Sequence, residues 1–185
     1  MVTSLRKALA GFILLPGKPP VNAPETPYVP EETISKACAV RGLSDKDKSL
    51  ALYLLEGRDE SDVLRNLREV LVEGTAPLKK GRNTEGLNLC VFRGVFGCGG
   101  YSVDLRSVRC VNGVIEIECD FEEPGEGIRT TAGFTQPASI VRLKGLPQGK
   151  YQAKLFVRSL QRSSAGVKEL KPRAELTQTT FTVLD

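Results

Sequence analysis

Asn112-Gly113 constrains this chain more than any other pair of residues. It separates Val108-Arg109-Cys110-Val111 from Val114-Ile115-Glu116-Ile117, two runs rich in β-branched residues. Asn-Gly in that setting specifies a two-residue type I′ hairpin, because the turn needs φ > 0 at both central residues. Val111 then faces Val114, Cys110 faces Ile115, and Val108 faces Ile117. Val108, Cys110, Ile115, Ile117, Cys119 and Phe121 share one face, while Arg109, Glu116 and Glu118 share the other. That is the in/out alternation of a half-buried sheet. Upstream, Tyr101, Val103 and Leu105 have the opposite parity. One extra residue near Arg106-Ser107 restores them to the core face, so the spacing predicts a β-bulge there. A third apolar run precedes Gly97, Gly99 and Gly100, whose freedom at φ > 0 suits a second corner. Residues 91–121 therefore read as three consecutive antiparallel strands.

The rest of the composition narrows the chemistry. The 185 residues include no His and no Trp. Lack of His removes the Ser-His-Asp and Cys-His nucleophile arrangements, together with His-containing zinc and iron sites. The five cysteines contain no C-x-x-C pair, so no metal and no cofactor is expected. In the hairpin register Cys110 and Cys119 lie about four residues apart, roughly 14 Å, too far to bridge. They read as buried free thiols. Cys90 with Cys98 is a candidate strand-to-loop bridge, although the odd cysteine count argues against a complete disulfide framework. The low content of thermolabile residue types is compatible with a thermophilic source. A net charge of +4 demands no polyanionic partner. No run is long enough to span a membrane as a helix.

Taken in order, residues 1–30 form an N-terminal apolar segment and a Pro-rich connector, and residues 31–185 a single domain. Arg6 and Lys7 before Leu9-Ala10-Gly11-Phe12-Ile13-Leu14-Leu15 resemble the start of a signal peptide, with Val21-Asn22-Ala23 as its cleavage site. Pro16 breaks that apolar run and Lys18 intrudes. A cytoplasmic, uncut chain is thereby favoured, with export as the alternative. Residues 31–41 read as a short helix with an acidic start and Gly42 beyond its end. Residues 43–48 read as a polar turn, and Ser49-Leu50-Ala51-Leu52-Tyr53-Leu54-Leu55 as a strand ended by Gly57. Residues 59–73 give the clearest helix, with Val63, Leu64, Leu67, Val70 and Leu71 on one stripe and Asp59 or Ser61 as cap. Lys79-Lys80-Gly81-Arg82 reads as a basic loop, and residues 122–127 as an acidic turn. Residues 128–143 make one or two strands broken at Pro137. Leu146-Pro147-Gln148-Gly149-Lys150-Tyr151 is a corner beneath which the tyrosine ring packs, its hydroxyl on backbone. Residues 151–160 alternate, with Tyr151, Ala153, Leu155 and Val157 facing one way. Ser163-Ser164-Ala165-Gly166 opens a long connection to a Thr-rich final strand over residues 176–184.

Residues 89–143 resemble the C-terminal domain of the PrcB family. The resemblance is carried by Cys90-Val91-Phe92-Arg93-Gly94, by Gly99-Gly100-Tyr101-Ser102-Val103, by the Asn112-Gly113 hairpin, and by Thr135-Gln136-Pro137 followed by Ile140-Val141-Arg142-Leu143. The family's glycine pair usually follows a Pro-Thr-type loop, where this chain has Phe96-Gly97-Cys98. PrcB is a subunit of a bacterial protease complex, so the resemblance implies a non-catalytic accessory domain that stabilises or binds a peptidase.

The expected fold is α+β, a mainly antiparallel β-sandwich-like domain with one or two helices packed on it. The expected partner is a protein, with a peptidase as the candidate that the resemblance names. Its contact surface is Gly97, Cys98, Gly99, Gly100 and Tyr101 together with Phe134, Thr135, Gln136 and Pro137, because loops on a rigid scaffold carry such sites. A cysteine-protease inhibitor of the chagasin kind, which also sets a Gly-Tyr loop on a β-sandwich, is a related alternative. A second class of function is nucleic-acid binding through the basic face Lys150, Lys154 and Arg158, with Arg142 and Lys144 adjoining. Aromatic stacking positions there are limited to Phe156, and Glu175 can neutralise the stripe, so nucleic acid is not the expected partner. A third is catalysis by Cys98 or Ser102 with Asp104 or Glu122. Nothing in the spacing assembles nucleophile, base and orienter, so no enzyme is expected.

Overall fold

The computed structural model describes the backbone of residues 33–37, and residues 51–82, 84 and 86–184 in full. The N-terminal apolar segment, its cleavage site, the Pro-rich connector, Cys38 and the polar turn at 43–48 lie outside the described residues.

Eleven strands and one helix follow in the order β1 (Thr33–Ala37), β2 (Ala51–Glu56), α1 (Glu60–Val72), β3 (Lys80–Arg82), β4 (Leu87–Phe92), β5 (Phe96–Cys98), β6 (Ser102–Val111), β7 (Val114–Pro124), β8 (Ala132–Thr135), β9 (Pro137–Leu143), β10 (Gly149–Ser163) and β11 (Gly166–Leu184). One sheet has the order β1-β9-β4-β2, a second β3-β11-β10-β7-β6, and β5 pairs with β8 alone. The chain is thus mostly β with one helix among the described residues. Pairing is antiparallel except between β10 and β7 and between β11 and β3.

The hairpin matches the sequence reading residue for residue. Asn112 has φ 52° and Gly113 φ 76°. Val111 pairs with Val114, Cys110 with Ile115 and Val108 with Ile117. The register shifts between Leu105 and Ser107, leaving Arg106 as the extra residue. That bulge lets Val103 and Val108 both face the core.

The first apolar run does not extend this unit. β4 belongs to the other sheet, between β2 and β9. All six of its residues are buried. Leu87, Leu89 and Val91 face the five-stranded sheet, meeting Ile115, Ile117, Leu155 and Val183. Cys90 and Phe92 face the opposite way, onto Val63 and Leu67 of α1. A strand covered on both faces shows no polar alternation, which is why sequence could not assign its sheet.

Helix α1 forms where its stripe predicts. The Asp59 carboxylate accepts from the Asp62 N–H at 2.9 Å, capping the first turn. Val63 and Leu67 are fully buried, with Leu64, Val70 and Leu71 packed around them. Asn88 ties the helix approach to the sheet: its amide donates to the carbonyls of Gly57 at 3.0 Å and Gly86 at 2.9 Å. At the other corner the Tyr151 hydroxyl donates to the Pro147 carbonyl at 2.7 Å, as expected.

Four further expectations are corrected. Residues 33–37 are a strand paired with β9, not part of a helix, because backbone pairing with Pro137–Leu143 overrides the end signals. Lys80–Arg82 is a short strand parallel to β11, not a loop, with Gly81 buried against Leu87. Glu122 and Glu123 end β7 rather than sit in a turn. Ser164 and Ala165 form a tight turn, with Ser163 paired to Gly166, so the last strand begins ten residues earlier than expected, at Gly166 and not at 176. No disulfide joins Cys90, Cys98, Cys110 or Cys119.

The bulge yields a direct test. Arg106→Ala keeps the extra residue and leaves urea stability nearly unchanged. Deleting Arg106 flips Val103 and Leu105 outward and costs about 3–6 kcal/mol, the burial of two aliphatic side chains.

Candidate functional site

The two segments expected to form a contact surface are brought together. β5 and β8 pair antiparallel, Phe96 with Thr135 and Cys98 with Ala132. The Gly99 N–H donates to the Thr131 carbonyl at 3.0 Å, and the Thr135 hydroxyl to the Cys98 carbonyl at 2.7 Å. The approach is close enough that a Cβ at Gly99 would collide with the Thr131 hydroxyl.

The named residues divide by exposure. Phe134 is 67% exposed and Gly97 and Gly100 lie open, while Cys98, Tyr101 and Thr135 are half-buried. Gly99, Gln136 and Pro137 are buried and hold the chain rather than face solvent. The Tyr101 ring stacks on Phe96 with centroids 3.9 Å apart and planes 12° apart.

Arg93 organises this end, and sequence reading did not single it out as functional. Its backbone N–H donates to the Pro137 carbonyl at 2.9 Å. Its Nη1 donates to the Ser102 carbonyl at 2.9 Å and to the Glu122 carbonyl. Its guanidinium carbon lies 5.1 Å from the Phe96 ring centroid, 5.2 Å from Tyr101 and 4.9 Å from Phe121. Its side chain thus links β5, β6 and β7, and its backbone adds β9. Burial pulls its pKa below the ordinary arginine value, opposed by the charges of Glu123, Tyr101 and Glu122. The available signal was an arginine between the buried Phe92 and Gly94 in an otherwise apolar run.

The basic face is electrically matched. Arg158 makes a two-pronged contact with Asp120, Nε to Oδ1 at 2.9 Å and Nη2 to Oδ2 at 2.7 Å. Arg106 reaches the same carboxylate at 2.8 Å. Lys154 lies 3.5 Å from Glu175, and Lys150 is exposed. Arg109 with Glu116, Arg173 with Glu118 and Arg162 with Glu122 extend the pattern. Phe156 is covered by the Arg173 guanidinium at 3.9 Å rather than open to a base. The asymmetry of exposure decides what matters. The side chain of Asp120 is 8% exposed, against 58% for Arg106 and 36% for Arg158.

The candidate catalytic groups are spread among other partners. The Ser102 hydroxyl donates to Asp104 at 2.7 Å. Glu122 is held by Arg162. Burial pushes the Cys119 thiol up to about 12, and Asp120 and Asp104 add to it. Burial likewise raises Cys110. Among the described residues no group of acids and cysteines is placed to hold a metal ion, and no helix is long and apolar enough to cross a membrane.

The family described as PrcB C-terminal matches residues 88–144. That segment runs from β4 through β9 and includes the hairpin, Arg93 and the β5–β8 pair. No curated protein and no solved structure matches the chain.

Two outcomes follow from the charges. Asp120→Asn removes the buried charge and leaves two arginines that water can solvate. The double variant Arg106→Ala with Arg158→Ala strands the carboxylate instead, and is the more destabilised of the two in urea melts. For Cys119 the folded pKa lies above its ordinary 9.0, so the folded state holds the proton more tightly. Its contribution is therefore full below pH 9.0 and is lost as pH rises towards about 12. Stability falls over that window in the wild type, by at most about 1.4 kcal/mol per pH unit for one proton. Cys119→Ala, which cannot titrate, shows a shallower fall.

Proposed function

We propose, from the match over residues 88–144 and the geometry of its β5–β8 end, that this protein is a non-catalytic binding and stabilising partner of a peptidase. In this reading its two facing sheets act as a β-sandwich-like scaffold. The observation that carries the proposal is the pairing of β5 with β8. It joins the strand that carries the 67% exposed Phe134 to the strand whose Phe96 ring stacks on Tyr101, on backbone fixed by Arg93 and Thr135. A large exposed aromatic on a rigid mount is a contact feature, since Tyr, Trp and Phe are enriched where proteins meet.

Work by contact rather than catalysis is further supported by the absence of histidine and by the elevated thiols of Cys110 and Cys119. The matched charges of the outer face weigh against a polyanionic partner, whose binding needs cations free to neutralise phosphates.

The test is recovery from a native extract. Tagged, folded protein retains a peptidase identified by mass spectrometry, and Phe134→Asp, equally folded by circular dichroism, loses it. Recovery of no peptidase, or equal recovery by the variant, overturns the proposal.

A further inference from the structure

A groove of about 280 Å³ opens beside this surface, lined by Arg93, Phe96 and Phe121 and by Val157, Lys171 and Leu176. The last three belong to the β10–β11 ribbon.

Two cations line the groove. The Arg93 side chain is 9% exposed. A guanidinium has five N–H donors. The two on Nη1 are spent on the carbonyls of Ser102 and Glu122. The nearest carboxylate oxygen to Nη2 is that of Glu123 at 3.9 Å, beyond hydrogen-bond reach. Nε has no acceptor among the described residues. The three surrounding rings steady the charge but accept no N–H in the guanidinium plane. Lys171 makes no ion pair among the described residues. On the same ribbon Lys154, Arg158, Arg162 and Arg173 are paired, while Lys168, outside the groove, is like Lys171 without an ion pair among the described residues. A largely buried cation with donors to spare, and a second cation lining the same groove, call for an anion.

The remaining lining selects the kind of anion. Phe96, Phe121, Val157 and Leu176 are apolar, so a bare inorganic ion would leave most of the wall uncovered. The volume lies below the range of about 300–1,000 Å³ that holds a whole drug-sized ligand. It suits one or two side chains. Leu176, which lines the groove and is 48% exposed, carries apolar surface out to solvent, which favours an occupant longer than the groove itself.

We propose that this groove binds an extended peptide in which a carboxylate stands beside an apolar side chain. The carboxylate takes the free donors of Arg93 and the ammonium of Lys171, and the apolar group packs on Phe121, Val157 and Leu176. The proposal rests on reading this end as a contact surface, and it names the chemistry contacted.

The experiment is fluorescence anisotropy with three dye-labelled peptides. One ends in two leucines and a free carboxylate. The second is the same peptide with a C-terminal amide. The third is an amide with an internal glutamate between leucines. The two carboxylate-bearing peptides bind, and the uncharged amide binds at least about tenfold more weakly. Lys171→Glu, a surface change, weakens binding of both by about tenfold or more. Arg93→Lys keeps the charge but loses the planar fork, and also weakens both. Free 4-methylpentanoate competes only at about a hundredfold higher concentration. No binding by either carboxylate peptide, equal binding of the amide, or wild-type affinity in Lys171→Glu overturns the proposal. Competition by 4-methylpentanoate at the peptide's own concentration overturns it as well, assigning the groove to small acids. Loss of peptide binding with peptidase recovery intact strikes this inference alone. Peptide binding without peptidase recovery strikes the functional reading instead.

Discussion

Burial of β4 on both faces is the constraint from which the other layers follow. Its backbone is paired on either side by β2 and β9, so no edge reaches solvent. Period-two geometry sends Leu87, Leu89 and Val91 one way and Cys90 and Phe92 the other. Each set needs its own apolar cover. The helix supplies one through Val63 and Leu67, and the five-stranded sheet supplies the other through Ile115, Ile117 and Leu155. Asn88 is the polar exception on this strand. Its amide N–H groups serve the helix approach, while its Oδ1 has no hydrogen-bond partner. An orphaned acceptor at that depth costs about 1–3 kcal/mol, an expense set against fixing where α1 begins.

Those parts of the chain with one wet face were legible in the sequence. The hairpin register, the bulge at Arg106, the helix stripe and the alternation of β10 all rest on contrast between core and solvent sides. The tyrosine corner was legible for another reason, since Pro147 and Gly149 fix the turn beneath which Tyr151 packs. Where contrast vanishes, so did the signal. β4 is dry on both faces and could not be assigned to a sheet. The Gly166–Leu184 strand is exposed at every one of its first ten residues, so its start was missed. Residues 33–37 and Lys80–Arg82 are strands by virtue of long-range pairing, which local propensity cannot report.

The site divides in the same way. The glycine cluster and the Phe134–Pro137 segment were expected at one end of the scaffold, and the fold adds that they pair directly as β5 and β8. Arg93 was invisible as a functional residue because its role is three-dimensional. It gathers carbonyls from β6 and β7 and rings from β5, β7 and the intervening loop. The face that sequence marked as basic proved to be balanced, since Asp120, Glu118 and Glu122 on β7 lie beside the arginines of the neighbouring strands.

This division bears on specificity. The wall bearing Arg93, Phe96 and Phe121 lies inside residues 88–144, the segment that matches the family. The rest of the lining, with Val157, Lys171 and Leu176, lies on the β10–β11 ribbon outside it. The buried cation is thus carried by the family-matched part, and the second cation and apolar rim by a part the match does not reach. Changes on the ribbon can alter which neighbouring side chain is accepted without disturbing the carbonyls that anchor Arg93. Because discrimination is a difference of affinities, the exposed wall is the cheaper one to vary. The Arg93 guanidinium also holds carbonyls of β6 and β7, so it is the costlier residue to vary.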